Sequence, residues 1–343
     1  MHVGYTKQSM PKETSAITLA LCVLGLYSTF LTWSVLQERI NTKPYGANEY
    51  FKAPLIVNIV QAFLASIVGY IYARVSTGSS PFDAFTQNGN KGLHVFGSLA
   101  LVSLCSSVSS PIGYKSLAHL DYLAFLLAKS CKLIPVMFVH FMLYRTRFPV
   151  YKYVVAASVT VGVTMFTLAH TKEKKTVNDG NTALGLAYLI GSMLLDGLTN
   201  STQDQLFKLP LAKKLTGASL MCTLNLFVFL MTTTYTLVFQ CGEFNDTLAF
   251  AKKYPELVYD ITVFAGCGAI GQVFIFIILE KFNSIILITA TVTRKMLSMI
   301  LSVVLFGHHL NVRQWAGVGL VFGGIGFEAF VKFQQKKQKV KAE

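Results

Sequence analysis

Residues 123–143 read LAFLLAKSCKLIPVMFVHFML, an apolar run that is long enough to cross a bilayer as a helix. Lys129 and Lys132 lie within it, three positions apart, so a helix places both side chains on one face. A charged residue at the centre of a membrane helix costs roughly 2.5–3.5 kcal/mol. Because a span does not need either lysine, we expect an anionic group to compensate them. Pro135, one turn further along, predicts a bend in this helix.

A second apolar run, SIILITATVTRKMLSMILSVVLF at residues 284–306, holds the adjacent cations Arg294 and Lys295. Neighbouring positions of a helix point about 100° apart. We therefore expect one of the two to face a ligand pathway and the other to contact a neighbouring helix. Arginine suits a phosphate group because its planar guanidinium can hold two oxygens, whereas lysine acts as a mobile point charge.

The whole chain has the composition of a polytopic membrane protein. Its 343 residues are 53% hydrophobic and 13% charged, with a mean hydropathy of +0.51, whereas a soluble domain carries about 25% charged residues. We predict an all-α fold of ten transmembrane helices. They lie at about residues 17–36, 54–73, 93–113, 119–143, 149–169, 183–203, 216–239, 258–279, 283–306 and 313–331.

Almost all of the chain lies in these stretches, which predicts a single transmembrane domain over residues 1–343. The longest connections, about 74–92 and about 240–257, are too short to form a hydrophobic core of their own. The first apolar run lacks a small-residue cleavage site, which favours a retained span over a removed signal peptide.

The distribution of Lys and Arg predicts the orientation. With ten spans both termini lie on one side, and that side carries sixteen Lys and Arg residues against ten on the other. The positive-inside rule therefore predicts cytosolic termini and a cytosolic basic tail at 332–343. The sequon Asn245-Asp246-Thr247 falls on the opposite, lumenal side, where Asn245 is a candidate for glycosylation.

The chain contains a weak internal repeat. Shifted by 162 residues, residues 132–163 align without gaps with residues 294–325, and basic positions of the two apolar runs coincide. The fourth and fifth spans thus correspond to the ninth and tenth, which indicates two five-helix repeats at about 17–169 and 183–331. An odd number of spans per repeat gives the repeats opposite orientations, as in many membrane carriers.

Two explanations of the buried cations stay open. They bind an anionic ligand, or they form structural ion pairs with acidic residues. Few acids lie within the spans: Asp196, Glu328, and Glu38 near the end of the first span. Snorkelling does not apply, because the four cations lie ten or more positions from the ends of their spans.

Other polar and aromatic side chains of the spans are candidates for ligand contact or for packing. The polar ones are Gln37, Asn58, Gln61, Asn200, Gln203, Asp204, Asn225 and Gln272. Gln272 lies among the glycines of GCGAIGQVFIF, where a ligand or a helix can come close. The rings that could stack on a planar base are Tyr27, Trp33 and Tyr114, although packing is the commoner role of an aromatic side chain in a span.

Gly319 and Gly323 form a GxxxG pattern in the last span. This pattern predicts close helix packing, and a homodimer through this face is a further expectation that the sequence leaves open.

Several classes of function are not supported. The chain has no HExxH, no phosphate loop ending in GK[ST] and no DxD, so we predict no enzyme, no metal site and no cofactor. The net charge of +14 reflects orientation signals and the basic tail, and we predict no binding to nucleic acid. A carrier of cationic drugs would need acidic centres, and an ion channel would need a continuous polar stripe.

Several segments resemble the nucleotide-sugar transporters of the drug/metabolite transporter superfamily, in particular the branch of UDP-galactose transporter homologues. They are LQERI (36–40), LAKSCKLIPVM (127–137), LDGLTNSTQD (195–204), GQVFIF (271–276), TVTRKMLS (291–298) and QWAGVGLVFGGIG (314–326). The resemblance implies ten spans in two inverted halves and exchange of nucleotides between the cytosol and the secretory lumen. By motif match, the implied substrate-binding residues are Lys129, Lys132, Arg294, Lys295, Glu38 and Gln272.

The resemblance leaves the cargo open. It implies an antiporter for UDP-galactose first and an ATP/ADP exchanger of the endoplasmic reticulum second, while a non-transporting membrane scaffold is the alternative of another class. Lys339 and Lys341 of the terminal KVKAE resemble a dilysine retrieval signal, which implies the membrane of the endoplasmic reticulum, or else the Golgi.

Overall fold

The computed structural model describes residues 12–46, 48–78, 80–83, 89–117, 119–120, 122–131, 133–145, 148–174, 182–206, 216–282, 284–307 and 310–342. Within these residues the chain is helical, and extended pairing is limited to an isolated bridge between Tyr45 and Glu49. The prediction of an all-α membrane protein is confirmed.

Twelve helices make up the described chain. They are α1 Lys12–Thr42, α2 Pro54–Thr77, α3 Gly89–Ser116, α4 Tyr122–Ser130, α5 Leu133–Tyr144, α6 Val150–Lys174, α7 Thr182–Leu206, α8 Gly217–Phe239, α9 Cys241–Lys253, α10 Pro255–Lys281, α11 Ser284–Phe306 and α12 Val312–Ala342. Nine helices of the described residues are long and apolar enough to cross a membrane: α1, α2, α3, α6, α7, α8, α10, α11 and α12. Large apolar side chains such as Val75 and Val304 stay exposed on them, as a surface that contacts lipid requires.

The predicted fourth span is broken into two short helices. α4 ends at Ser130, Cys131 is not helical, and α5 begins at Leu133. Lys132 lies outside the described residues. Pro135 is the third residue of α5, where its missing N–H costs no helical hydrogen bond, so the proline favours a new helix start over a bend within one helix. Together α4 and α5 cover the apolar stretch that was predicted at about 119–143.

A helix also occupies the connection that was predicted at about 240–257. α9 has Glu243 in its first turn and Lys252 and Lys253 in its last turn, which complements the helix dipole. The ring of Phe250 packs edge-on against Tyr45 with 5.9 Å between centroids. α9 is thereby fixed against the connection between α1 and α2.

α6 and α12 cross with their backbones in direct contact. A Cβ atom at Gly162 would lie 2.7 Å from the carbonyl oxygen of Gly317, and one at Gly317 would lie 2.6 Å from that of Gly162. Gly324 lies beside Ser158 and Gly317 beside Phe166, so the two helices are antiparallel. Only glycine permits this separation.

The remaining packing surrounds a central space. α1 packs along α10, α3 along α7, and α2 along both α8 and α10. α4 is held from the other side by a buried cluster in which Leu123 and Leu127 contact α6, α11 and α12 through residues such as Phe166, Met299 and Val321. These contacts direct the opposite face of α4, with Lys129 at its end, towards the centre.

The glycine crossing yields a stability prediction. Gly162→Ala should lower the apparent unfolding free energy by about 1–3 kcal/mol, because the added methyl group meets the backbone of Gly317 and forces the helices apart. Gly319→Ala is the matched control, since a Cβ there meets nothing within 4 Å. Thermal unfolding in detergent measures both, and equal melting temperatures for the two variants would contradict the packing described.

Candidate functional site

A central cavity of about 380 Å³ lies among eight of the helices. Its lining combines charged, amide, hydroxyl and aromatic side chains. The polar and aromatic residues that line it are Trp33, Ser34, Gln37, Asn58, Gln61, Ser106, Ser110, Tyr114, Phe125, Lys129, Ser130, Asp196, Asn225, Gln272, Arg294, Lys295 and Ser298. The volume lies within the usual range of small-molecule sites, roughly 300–1,000 Å³.

Lys129 is paired with an acid on the cavity wall. Its Nζ lies 2.7 Å from Asp196 Oδ2 and 2.5 Å from Ser192 Oγ. Ser109 Oγ donates to Asp196 Oδ1 and holds that carboxylate in place. The side chains of Lys129 and Asp196 are 21% and 30% exposed, so a ligand can reach the pair. The structural-pair explanation therefore applies to Lys129, without removing it from the cavity.

Arg294 lies against an aromatic ring and not against a carboxylate of the described residues. Its guanidinium lies over the ring of Phe30, 4.4 Å from the centroid, in a cation–π contact. No carboxylate of the described residues comes within 4.0 Å of it. A desolvated cation without a counter-ion is costly, and Arg294 points into a cavity that can admit an anion.

Lys295 lines the same cavity as Arg294. The cavity covers a wide arc of α11, so both neighbours reach it. That one of them faces a ligand pathway while the other contacts a neighbouring helix stays a prediction. The described lining thus carries three cations, Lys129, Arg294 and Lys295, against one carboxylate, Asp196. This imbalance favours an anionic ligand. No three His, Cys, Asp or Glu side chains of the described chain come together as metal ligands.

The sequence of the chain matches known proteins along most of its length. Residues 18–332 match the model of the UAA transporter family. The chain belongs to this family.

UDP-galactose transporter homolog 1 of Candida albicans is 64% identical to the chain, over 97% of the chain and 95% of the relative. The homolog of Debaryomyces hansenii is 64% identical over 94% and 96%, and that of Saccharomyces cerevisiae is 40% identical over 96% and 99%. As a member of the UAA transporter family, the chain is a multi-pass membrane transporter and not an enzyme.

The structure brings four of the six sequence-predicted substrate-binding residues to the cavity: Lys129, Arg294, Lys295 and Gln272. Glu38 is not among the residues that line it. That carboxylate is 1% exposed and its Oε2 accepts a hydrogen bond of 2.5 Å from Ser302 Oγ of α11. Lys132 falls outside the described residues.

Of the aromatic candidates, Trp33 and Tyr114 line the cavity. Trp33 stacks on Phe264 at 5.2 Å, and its Nε1 is a buried donor without a hydrogen-bond partner in the described chain. Tyr27 instead hydrogen-bonds Thr293 at 2.6 Å. The Nε1 atom of Trp33 faces Gly268, where a Cβ atom would lie 3.1 Å from it.

Sequence reasoning missed the hydroxyl groups of the lining. Ser106 and Ser110 of α3 are four residues apart and share one helical face. The run SLCSSVSS at 103–110 was the available signal, since such a density of serines is unusual in a span that only contacts lipid. These hydroxyls can donate to ligand oxygens.

Lys129 has a carboxylate partner in the described chain and Arg294 has none, and this difference can be tested without any ligand. Lys129→Gln and Asp196→Asn should each lower the unfolding free energy by about 1–2 kcal/mol, less than the 3–5 kcal/mol of a fully buried pair because both groups are partly exposed. The double variant should lose less than the sum. Arg294→Gln should not lower ligand-free stability, because it strands no described carboxylate.

Thermal unfolding in nucleotide-free detergent solution compares the four proteins. A loss of stability in the Arg294 variant equal to that of the Lys129 variant would mean that Arg294 is a structural partner, and would contradict the contrast.

Proposed function

We propose that the chain is an antiporter for a nucleoside-diphosphate-linked sugar, UDP-galactose first, which enters the lumen of the endoplasmic reticulum or Golgi in exchange for a nucleotide. The observation that carries the proposal is the central cavity of a UAA family member in which cations outnumber carboxylates. The names of the relatives, UDP-galactose transporter homolog 1, support the choice of sugar nucleotide.

The lining offers a partner for each part of such a substrate. Arg294 can hold two phosphate oxygens with its planar fork, and Lys129 and Lys295 add point charges. Trp33 and Tyr114 provide aromatic faces for the base. The amides Gln272 and Asn225, already 3.4 Å apart, and the serines of α3 suit the hydroxyl groups of ribose and sugar.

The charge of the cavity gives a physical reason for exchange. An empty cavity leaves cations in a low dielectric, which opposes closure around them. A bound anion of either kind screens the cations and lets the closed intermediate form. Movement of the empty carrier is then slow, and each inward step is coupled to an outward one.

An arrangement of two inverted repeats is part of the proposal. Ser158 Oγ donates to the carbonyl oxygen of Leu320 at 3.2 Å, and the two residues are separated by the 162 positions of the sequence repeat. Corresponding positions therefore meet, as they do at a pseudo-two-fold axis. The pairing of α1 with α10 matches that of α7 with α3 when the repeats are exchanged, which supports the same arrangement.

The orientation and the compartment rest on the sequence. Asn245 is exposed on α9, which lies on the face opposite the termini in a ten-span topology and so supports a lumenal position for this face. Lys339 and Lys341 stand near the end of α12, but their side chains lie outside what the structure describes. Retrieval by these lysines, glycosylation at Asn245 and a homodimer through Gly319 and Gly323 stay predictions.

A ligand panel tests the substrate. Purified protein is heated with UDP-galactose, UMP, ATP, ADP and other nucleotide sugars, and a ligand at 100 times its dissociation constant should raise the unfolding free energy by about 2.7 kcal/mol. We expect UDP-galactose and a uridine nucleotide to give the largest shifts. Arg294→Gln should remove the shift, whereas the control Gly319→Ala, remote from the cavity, should keep it.

Proteoliposomes then test the exchange. Uptake of labelled UDP-galactose should require a nucleotide inside the vesicles. Stabilisation and exchange by ATP and ADP alone would instead assign the second cargo. Absence of any nucleotide-dependent shift or exchange, together with Lys132→Ala lowering only thermal stability, would favour the non-transporting scaffold.

A further inference from the structure

A second and larger cavity, of about 790 Å³, opens on the face where α1 and α3 end and where α2 and α4 begin. We call it the vestibule. It is lined by Asn41, Thr42, Lys43, Tyr50, Phe51, Lys52, Ala53, Pro54, Val57, Tyr114, Lys115, Leu117, His119, Leu120, Tyr122 and Tyr188. Tyr114 borders both the vestibule and the central cavity, so the two spaces are adjacent.

The charge of the vestibule has one sign in the described residues. Lys43, Lys52 and Lys115 line it together with the imidazole of His119, and no Asp or Glu of the described chain does. The three lysines come from three different segments, the end of α1, the connection before α2 and the end of α3. Folding therefore brings them together around one space.

Other basic residues on the same face are neutralised. Arg39 binds Glu256 at 3.1 Å and Asp260 at 2.9 Å, and Lys253 binds Glu49. By contrast, no described carboxylate comes within 4.0 Å of the three vestibule lysines. The carboxylates on this face thus pair with Arg39 and Lys253 and not with the vestibule lysines. Burial raises the pKa of the Glu243 carboxyl, the charge of Lys115 opposes this shift, and Glu243 does not line the vestibule.

Orientation signals do not account for the vestibule lysines. The positive-inside rule concentrates Lys and Arg on the face of the termini, and the vestibule opens on the opposite, less basic face. Cations grouped in a concave site with low-dielectric walls focus the field and raise the local concentration of anions. The vestibule is therefore suited to attract an anion towards the central cavity.

The aromatic rings of the vestibule indicate which class of phosphate-bearing ligand it binds. The vestibule presents Tyr50, Phe51 and Tyr188, and the His119 ring stacks on Tyr188 with 6.3 Å between centroids. Bases stack readily on aromatic side chains. Phosphate groups are common to nucleotides and to lipid headgroups, but an aromatic base is present only in nucleotides.

We propose that the vestibule is a second binding site for the phosphate groups of nucleotides, which receives them on the face opposite the termini before or after they occupy the central cavity. The inference rests on the proposed function. Its lysines are exposed to water, so its affinity is lower than that of the central cavity. The vestibule increases the capture of nucleotide from the face opposite the termini.

Exchange measured from each face of oriented proteoliposomes tests the site. Lys52→Gln combined with Lys115→Gln should raise the half-saturating nucleotide concentration about tenfold from the vestibule face and flatten its salt dependence. The value from the other face and the maximal rate should not change. Lys252→Gln combined with Arg313→Gln removes the same charge from exposed residues that do not line the vestibule, and should have no such effect. Equal values for the two double variants would overturn the proposal.

The lipid composition of the vesicles separates the two sources of phosphate. The sided effect should be present in vesicles of neutral phosphatidylcholine alone. An effect that appears only when phosphatidylserine is included would assign the vestibule to lipid headgroups and overturn the nucleotide site.

Binding to purified protein separates failure of the vestibule from failure of the proposed function. In an Arg294→Gln background, labelled nucleotide should still bind weakly, and Lys52→Gln with Lys115→Gln should remove this residual binding. Normal binding by the unmodified protein with no residual binding in the Arg294 variant overturns the vestibule alone. No binding by the unmodified protein overturns the proposed function.

Discussion

Positive charge in a low-dielectric interior is the constraint on which the structure depends. The charge of Lys129 is compensated by Asp196, whose carboxylate accepts a hydrogen bond from Ser109, while Ser192 accepts one from Lys129. Among the described residues, the charge of Arg294 is compensated only by a cation–π contact with the ring of Phe30. One cation is thus stabilised by the fold, while the other, in the proposed function, is compensated by the ligand. A transporter needs both properties, because the site must persist when empty and must favour the loaded state.

The break in the fourth span is a structural difference between the two proposed repeats. In the proposed repeat, the fourth span corresponds to the ninth, yet the fourth is divided into α4 and α5 while α11 is continuous from Ser284 to Phe306. Two repeats with the same conformation would treat both faces of the membrane alike. The difference between these spans accompanies the vestibule, which opens on the face where α4 begins. The structure is thus one conformation, in which the fourth span is divided into α4 and α5 and the vestibule opens on one face only.

The sequence predicted the membrane class, the approximate spans and most of the charged lining, because a cation in an apolar run is conspicuous without any tertiary information. The pairing of Lys129 with Asp196 was foreseen as one of two options, but choosing it requires knowing that α4 and α7 are in contact. Periodicity alone placed Arg294 and Lys295 on different faces, and only the width of the cavity shows that both reach it. The vestibule could not be predicted, since its lysines lie in three segments whose proximity is a property of the folded chain.

The backbone contact between Gly162 and Gly317 has a consequence for how motion in this protein can be observed. Two helices that touch without intervening side chains cannot slide without clashing, so α6 and α12 serve as an internal reference frame. Spectroscopic labels at the ends of these two helices would keep a constant separation, against which displacements of the other spans can be calibrated.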